Sequence, residues 1–264
     1  MTVALGVVTM NRPAYLGKVA KAYRRNLITE SPVFDYLYCY GDGSSPKFRG
    51  EYGRSYGVLE SIGATVIDAP ENRGVAHAKN ALLYVICKET DADWIILAED
   101  DILPQSPEAV TGYIAAAEAS GLSHLSYALH GPANLAGPVD ADDNVAYYFH
   151  SIGAWCLYSR ECLEDVGGFD ENFRNAWEHV ELTLRLGAAG YTSGAYRYAD
   201  ALHSSKWLSE IPGSIEKSSI PVGIGRQAAI RNGLLYWRDA KPDTYALLFG
   251  PGTPLEAYAH SVIG

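Results

Sequence analysis

Apolar runs and amphipathic stretches alternate through the first hundred residues. Residues 3–9 (VALGVVT) are apolar and stop at Asn11-Arg12-Pro13, after which a helix is expected over 14–25. The aromatic run 34–40 (FDYLYCY) suits a buried strand and enters Gly41-Asp42-Gly43-Ser44-Ser45-Pro46, a dense turn signal. A helix near 53–62 leads to a strand at 64–67. A second helix, 73–89, carries Val75, Ala78, Leu82 and Ile86 on one stripe. The apolar run 94–98 (WIILA) ends in Glu99-Asp100-Asp101. Short apolar strands separated by helices predict an α/β fold with a mostly parallel central sheet. Ligands of open sheets bind beyond the carboxyl ends of the strands. Residues 9–12, Asp42 and residues 99–101 are therefore expected to converge.

The pattern changes in the second half. A helix over 107–119 precedes extended pieces at 124–129, 146–149 and 153–158. The segment 166–170 (VGGFD) reads as a turn, 178–189 as a charged helix and 195–199 as a last strand, followed by Leu202-His203. Beyond Ser209 the chain is punctuated by Gly and Pro, with one helix near 226–237. One α/β domain over 1–208 is expected, with a C-terminal extension at 209–264 acting as a lid or an oligomer contact. The extension and its approach carry Lys206, Trp207, Lys217, Arg226, Arg231 and Arg238.

Composition narrows the function classes. Among 264 residues, 21 are Lys or Arg and 31 Asp or Glu, a formal net charge of −10. No Lys/Arg-rich run is present, which argues against gripping a nucleic acid by charge. No apolar run approaches the ~18 residues of a membrane span. The opening MTVALGVVTMNRP lacks a basic stretch and a small-residue cleavage site, and is not read as a signal peptide. Cys39, Cys87, Cys156 and Cys162 are scattered without a CxxC pair, so a reducing, cytoplasmic setting is expected.

Glu99-Asp100-Asp101 is the most informative local feature. Three adjacent acids in a crevice need a countercharge, and a hard divalent cation (Mg²⁺ or Mn²⁺) would supply it. The bland alternative is a solvated turn of helix-capping acids. Neither GxGxxG after the first strand nor GxxxxGK[ST] is present, which argues against dinucleotide oxidoreductases and P-loop enzymes.

At this point the chain resembles a glycosyltransferase of the GT-A (Rossmann-like) fold, most like the large family 2 group, over roughly residues 1–205. Five segments carry the resemblance in order. Val7-Val8-Thr9-Met10-Asn11-Arg12-Pro13 is similar to a strand followed by T-x-N-R-P, and Gly41-Asp42-Gly43-Ser44-Ser45 to D-D-G-S. Asn72-Arg73-Gly74-Val75-Ala76-His77-Ala78-Lys79-Asn80 resembles N-x-G-x-A-x-A-R-N. Leu97-Ala98-Glu99-Asp100-Asp101-Ile102-Leu103-Pro104 resembles the acidic DxD segment with its trailing proline. Gly167-Gly168-Phe169-Asp170-Glu171-Asn172-Phe173, then Glu178-His179-Val180-Glu181-Leu182 and Arg185, resembles GGFDE-x-F followed by ED-x-E-L-x-x-R.

The resemblance implies a nucleotide-sugar donor, a UDP-sugar first, with Mn²⁺ or Mg²⁺ and transfer to an acceptor hydroxyl with inversion. It implies a donor half at 1–104 and an acceptor half at 105–208. Thr9, Asn11 and Arg12 would line the base and ribose pocket, Asp42 would approach the base, and Asn72 would stand with them or cap its helix. Lys79 would reach the diphosphate or be a solvated helix lysine. Asp101 would ligate the metal, Glu99 would take the first DxD position, and Asp100 would lie near the ribose or a metal-bound water. An alternative alignment puts Ala98 and Asp100 in the DxD positions. His203, after the last strand, would be a second metal ligand. The other histidines (His77, His124, His130, His150, His260) show no ligand spacing.

The family's acidic pair at the start of the 178–189 helix reads Glu178-His179 here, so either residue is the candidate general base. Glu181 and Arg185 are spaced for a helix salt bridge. Trp155 and Trp177 are expected in the core. Gly41 departs from the family's acid, which leaves the nucleobase open. A nucleotidyltransferase and a non-catalytic nucleotide-sugar-binding module are the alternative functions. The acceptor and the oligomeric state are not legible.

Overall fold

The computed structural model describes residues 1–28, 31–214 and 224–263. The first half runs β1 (Val3–Thr9), α1 (Pro13–Asn26), β2 (Tyr36–Asp42), a 3₁₀ turn (Pro46–Phe48), α2 (Arg49–Glu60), β3 (Ala64–Ala69), α3 (Val75–Glu89) and β4 (Trp94–Glu99). It continues through β5 (Ile102–Pro104), α4 (Glu108–Ser120), β6 (His124–Ser126), β7 (Asp140–Ala141), β8 (Val145–Tyr148), β9 (Trp155–Ser159), α5 (Arg160–Val166) and α6 (Glu178–Ala188). The last elements are β10 (Tyr198–Ala201), α7 (Ser204–Trp207), β11 (Leu208–Glu210), α8 (Ile224–Ala240), α9 (Pro242–Phe249) and α10 (Glu256–Ile263).

The central sheet has the order β3-β2-β1-β4-β9-β6. β1 to β4 are mutually parallel, and β9 enters antiparallel to both β4 and β6. β1 sits inside the sheet and is buried at all seven positions, as its continuous apolar run requires. Its residues alternate between two cores. Leu5 and Val7 join Leu16, Tyr23 and Tyr113 on the face covered by α1 and α4, whereas Ala4 and Val8 join Leu82, Ile86 and Leu182 on the face covered by α3 and α6. The register places Thr9 opposite Gly41 and Val8 opposite Glu99. The carboxyl ends of β1, β2 and β4 are thereby level, the convergence that the strand pattern predicts.

Several elements depart from expectation. β2 extends two residues further, to Asp42, because the turn begins only at Gly43. The strand expected at 195–199 lies at 198–201, belongs to a small separate sheet, β10-β8-β7, and is followed by one more strand, β11. Helix α5 precedes the VGGFD turn, capped by the Ser159 side chain accepting from Cys162 N at 3.2 Å. The extension holds three helices among its described residues, not one. Pro242 reads as a breaker in the sequence, yet it occupies the first turn of α9, where its missing N–H costs nothing.

These helices are packed against the domain. Leu234, Trp237, Leu248 and Phe249 form a third apolar cluster with Phe173, Val180, Leu184 and Tyr198. Lys241 adds ion pairs to Asp170 at 2.9 Å and Glu181 at 2.5 Å. Glu181 also makes the expected helix pair with Arg185, at 2.8 Å. Lys217 lies outside the described residues. No helix among the described residues is long and apolar enough to cross a membrane.

Candidate active site

The strand ends open into a cavity of about 510 Å³ whose lining includes Thr9, Arg12, Asp42, Asn72, Glu99, Asp100, Asp101, Glu178 and His179. Eight of the predicted site residues and the predicted metal ligand Asp101 thus share one space. Asp42 holds the loop before α3: Oδ1 accepts from Arg73 N and Oδ2 from Gly74 N and Asn72 Nδ2, each at 2.9 Å. Gly41 is required beside it, since a Cβ there would run into the Tyr56 hydroxyl, which donates to Asp68 at 3.1 Å. The family's acid at that position has no room here.

The three acids already have cationic partners. The Arg12 guanidinium contacts Asp100 Oδ1 through Nη2 and donates from Nη1 to Asp101 Oδ2 at 2.9 Å. Thr9 Oγ1 donates to Asp100 Oδ2 at 2.5 Å and meets the Tyr52 hydroxyl at 2.9 Å. Lys79 Nζ is 3.0 Å from Glu99 Oε1. The charge argument from sequence is corrected to this extent: the chain itself supplies countercharge. Burial still raises the Asp100 carboxyl to about 7 against the pull of Arg12, and burial raises Asp101 as well. Glu99 moves down: burial opposes this, but the adjacent Lys79 ammonium outweighs it.

Glu178 opens α6, where an acid is favoured by the helix dipole. Its carboxylate lies 3.2 Å from His179 Nδ1 and 3.7 Å from Lys79 Nζ. Burial opposes ionisation, yet His179 and Lys79 lower its pKa to about 2. His179 Nε2 faces Ser151 O at 3.2 Å. Both ring nitrogens therefore face oxygen atoms, one from Glu178 and one from Ser151. Gly153 makes this possible, because a Cβ there would sit 2.8 Å from the His179 ring.

Several predicted roles change. Lys79 is 1% exposed and does not line the cavity; Nζ donates to Gly153 O at 2.8 Å and ties Glu99 to Glu178. It is not a solvated lysine, because α3 packs that face on the sheet. Asn11 is absent from the lining. Its backbone has φ 57°, its N–H donates to Ser44 Oγ at 2.9 Å, and its Oδ1 accepts from Ser45 N at 2.7 Å, stitching the β1 and β2 loops together. Thr9 Oγ1 and both Arg12 Nη groups are directed at the acids, while Arg12 Nε has no hydrogen-bond partner.

His203 does not join the site either. It is exposed at the start of α7, edge-on to Trp207 with ring centroids 6.2 Å apart. β10 delivers it to the small sheet instead of the central one. The histidine beside the acids is His130, from the loop after β6, with Nε2 4.0 Å from Asp101 Oδ2 and Nδ1 3.4 Å from Glu210 Oε2. His150 also lines the cavity, and burial lowers its pKa, favouring the neutral ring. No sequence spacing marks either histidine. Trp155 is fully buried as expected, but Trp177 lines the cavity.

No family model and no curated protein sequence matches the chain. Solved structures do. A mannosyltransferase from Pyrobaculum calidifontis, PcManGT, in complex with GDP-Man and Mn²⁺, superposes with a TM-score of 0.60 at 13% identity, over 99% of this chain and 68% of that one. S. aureus TarS 1–349 in complex with UDP superposes at 0.55 with 13% identity, over 100% of this chain and 70% of that one. The fold is GT-A-like. A longer TarS structure aligns at 0.56 with 14% identity, over 89% of this chain but only 39% of TarS. At such identities the GT-A-like likeness concerns the backbone path, and the chemistry must come from the residues.

Among the described residues, no group of three or more His, Cys, Asp or Glu side chains is arranged to hold a metal ion. The donor set nevertheless fits a hard cation. Asp101 Oδ1 is buried with no hydrogen-bond partner, next to the Asp100 carboxylate. Mg²⁺-type sites commonly use one or two carboxylates and complete their shell with substrate phosphates and water. Asp101 and Asp100 would supply that pair.

Proposed function

We propose that the protein is a glycosyltransferase that moves a sugar from a nucleotide-sugar, a UDP-sugar first, to an acceptor hydroxyl, with inversion. The observation that carries this reading is the shared cavity lined by Asp42, Asn72, Glu99, Asp100, Asp101 and Glu178, from the ends of two strands, the loop before α3 and one helix start. The GT-A-like fold supports it, as do the nucleotide-sugar and Mn²⁺ bound by PcManGT. By the resemblance, the base would lie near Asp42, which lines the cavity. Asp100 and Asp101 would hold the divalent cation, and when bound it supplies Lewis-acid stabilisation of the departing diphosphate.

The chain's own residues do the rest. Arg12 and Thr9 fix the orientation of Asp100 and Asp101. Glu178 is the proton acceptor. A carboxyl lowered to about 2 is a weak base, but it is ionised at every working pH. It needs to accept only late, once the attacking oxygen has bonded to the anomeric carbon and become strongly acidic. The acceptor O–C bond forms, the bond to the diphosphate breaks with its electron pair, and the proton passes to Glu178. His179 and Lys79 hold that carboxylate in place.

A donor screen with Mn²⁺ tests the reading, measuring release of nucleoside diphosphate from UDP- and GDP-sugars. Turnover of one donor, lost in Asp101→Asn, is expected. No turnover with any of them, together with no rise in melting temperature from UDP or GDP plus Mn²⁺, would overturn it.

A further inference from the structure

His150, Ser151 and Asn175 line parts of the remaining cavity, but one part of its lining is of a different chemistry from the strand ends. Trp177, Tyr196, Ile230, Leu248, Leu255 and Tyr258 stand there, four of them from the C-terminal extension. The indole N–H of Trp177 donates to Ile230 O at 3.1 Å, and the Tyr196 hydroxyl donates to Leu248 O. Each ring thus spends its polar hydrogen on the extension's backbone and leaves its carbon atoms for the cavity. Trp177 and Tyr196 also have φ of 74° and 62°, backbone conformations unusual for bulky residues. Such strain persists where surrounding structure enforces it, often around ligand sites.

A free glycan offers hydroxyls on every side and needs donors and acceptors to match. Among the described residues the polar groups lining the cavity on this side are the exposed Arg226, the Tyr258 hydroxyl and Asn175. Ile230, Leu248 and Leu255 cannot pair with a hydroxyl, nor do aliphatic chains stack on a sugar face as a flat ring does. Apolar surface facing a cavity that also holds reactive acids fits a ligand with an apolar body and a single reactive polar end.

We propose that this wall is the acceptor subsite, and that the acceptor carries its hydroxyl on an alkyl or aryl body. The proposal rests on the glycosyl-transfer reading and adds its substrate class. The covalent step is the one described above, with the proton passing to Glu178.

The test titrates the protein with n-octyl β-D-glucoside below its micelle concentration and, separately, with methyl β-D-glucoside. Binding is read by tryptophan fluorescence and calorimetry, and UDP and GDP with Mn²⁺ are titrated into the same preparations. The octyl compound is expected to bind at least tenfold more tightly than the methyl compound. Leu255→Asn and Tyr258→Ser, both at partly exposed positions, are expected to weaken octyl binding at least fivefold while nucleotide binding and the circular dichroism spectrum stay unchanged. Equal affinity for the two glucosides overturns the proposal, as does an octyl preference that both variants leave intact. An octyl preference without any nucleotide binding overturns the assignment to an acceptor and, separately, the transfer reading.

Discussion

At the strand ends, charge is matched to charge. Arg12 reaches two acids, Lys79 two more, and Thr9 donates its hydroxyl to a buried carboxylate. In the wall built by Trp177, Tyr196 and the extension, polar hydrogens turn into the protein and carbon faces the cavity. The two regions meet in one space but follow different rules. The first is held by pairs whose loss leaves a buried charge uncompensated. The second is held by apolar packing, which tolerates substitution as long as volume and fit are kept. Sensitivity to mutation should therefore be steep on one side of the cavity and shallow on the other.

The largest break in that contrast should come from the reacting groups. Glu178→Gln is expected to lower kcat by about 10³ with little change in the donor KM, since general bases contribute roughly 10²–10⁴. Steady-state kinetics with the donor found in the screen measures this. A loss below tenfold would remove Glu178 from the base role. Next comes Lys79→Met, which strands Glu99 and Glu178 without their shared cation. Breaking buried pairs of this kind costs about 3–5 kcal/mol, to be read from urea unfolding, and Lys79→Arg should recover part of it.

Acidity separates two buried carboxyls by sign. Glu178 is lowered from 4.5 to about 2, so its contribution is complete above its unfolded pKa and is lost as pH falls from about 5 towards 2. At about 1.4 kcal/mol per pH unit this amounts to about 3 kcal/mol. Asp200, off the cavity and bonded to Tyr113 and Ser204, is raised by burial to about 6. Its term favours the folded state at low pH and fades as pH rises from about 4 to 6. Urea midpoints across pH 3–7 should lose acid sensitivity in Glu178→Gln and gain acid sensitivity in Asp200→Asn; identical curves would refute both assignments. The smallest effect expected is for Lys241→Met. Its partly exposed ion pairs to Asp170 and Glu181 should be worth about 1 kcal/mol after solvent screening, seen as faster amide exchange in α8 and α9.

How much was legible follows from what is encoded locally. The runs 3–9, 34–40 and 94–98 announce buried strands because a strand covered on both faces must be apolar along its length. The acids after β4 could be placed beside residue 9 and Asp42, since parallel strands of one sheet end together. The three helices of the extension were not legible as a packed unit. Their apolar residues acquire meaning only opposite Phe173, Val180 and Leu184, which lie 50 or more residues away.

Element type, strand order near β1 and the gathering of acids at one edge are properties of periodicity and chain punctuation, and reading along the chain reaches them. Partnership is another matter. His203 is the histidine that the resemblance marks as a ligand, yet a loop carries His130 to Asp101 and His203 stands exposed at the start of α7. Lys79 shares a helix with solvated neighbours, and only the face that α3 turns to the sheet makes it a bridge between two acids. Electrostatic pairs act over a few ångströms between residues separated by 20 to 99 positions, so the folded path, not the local code, decides which charges meet.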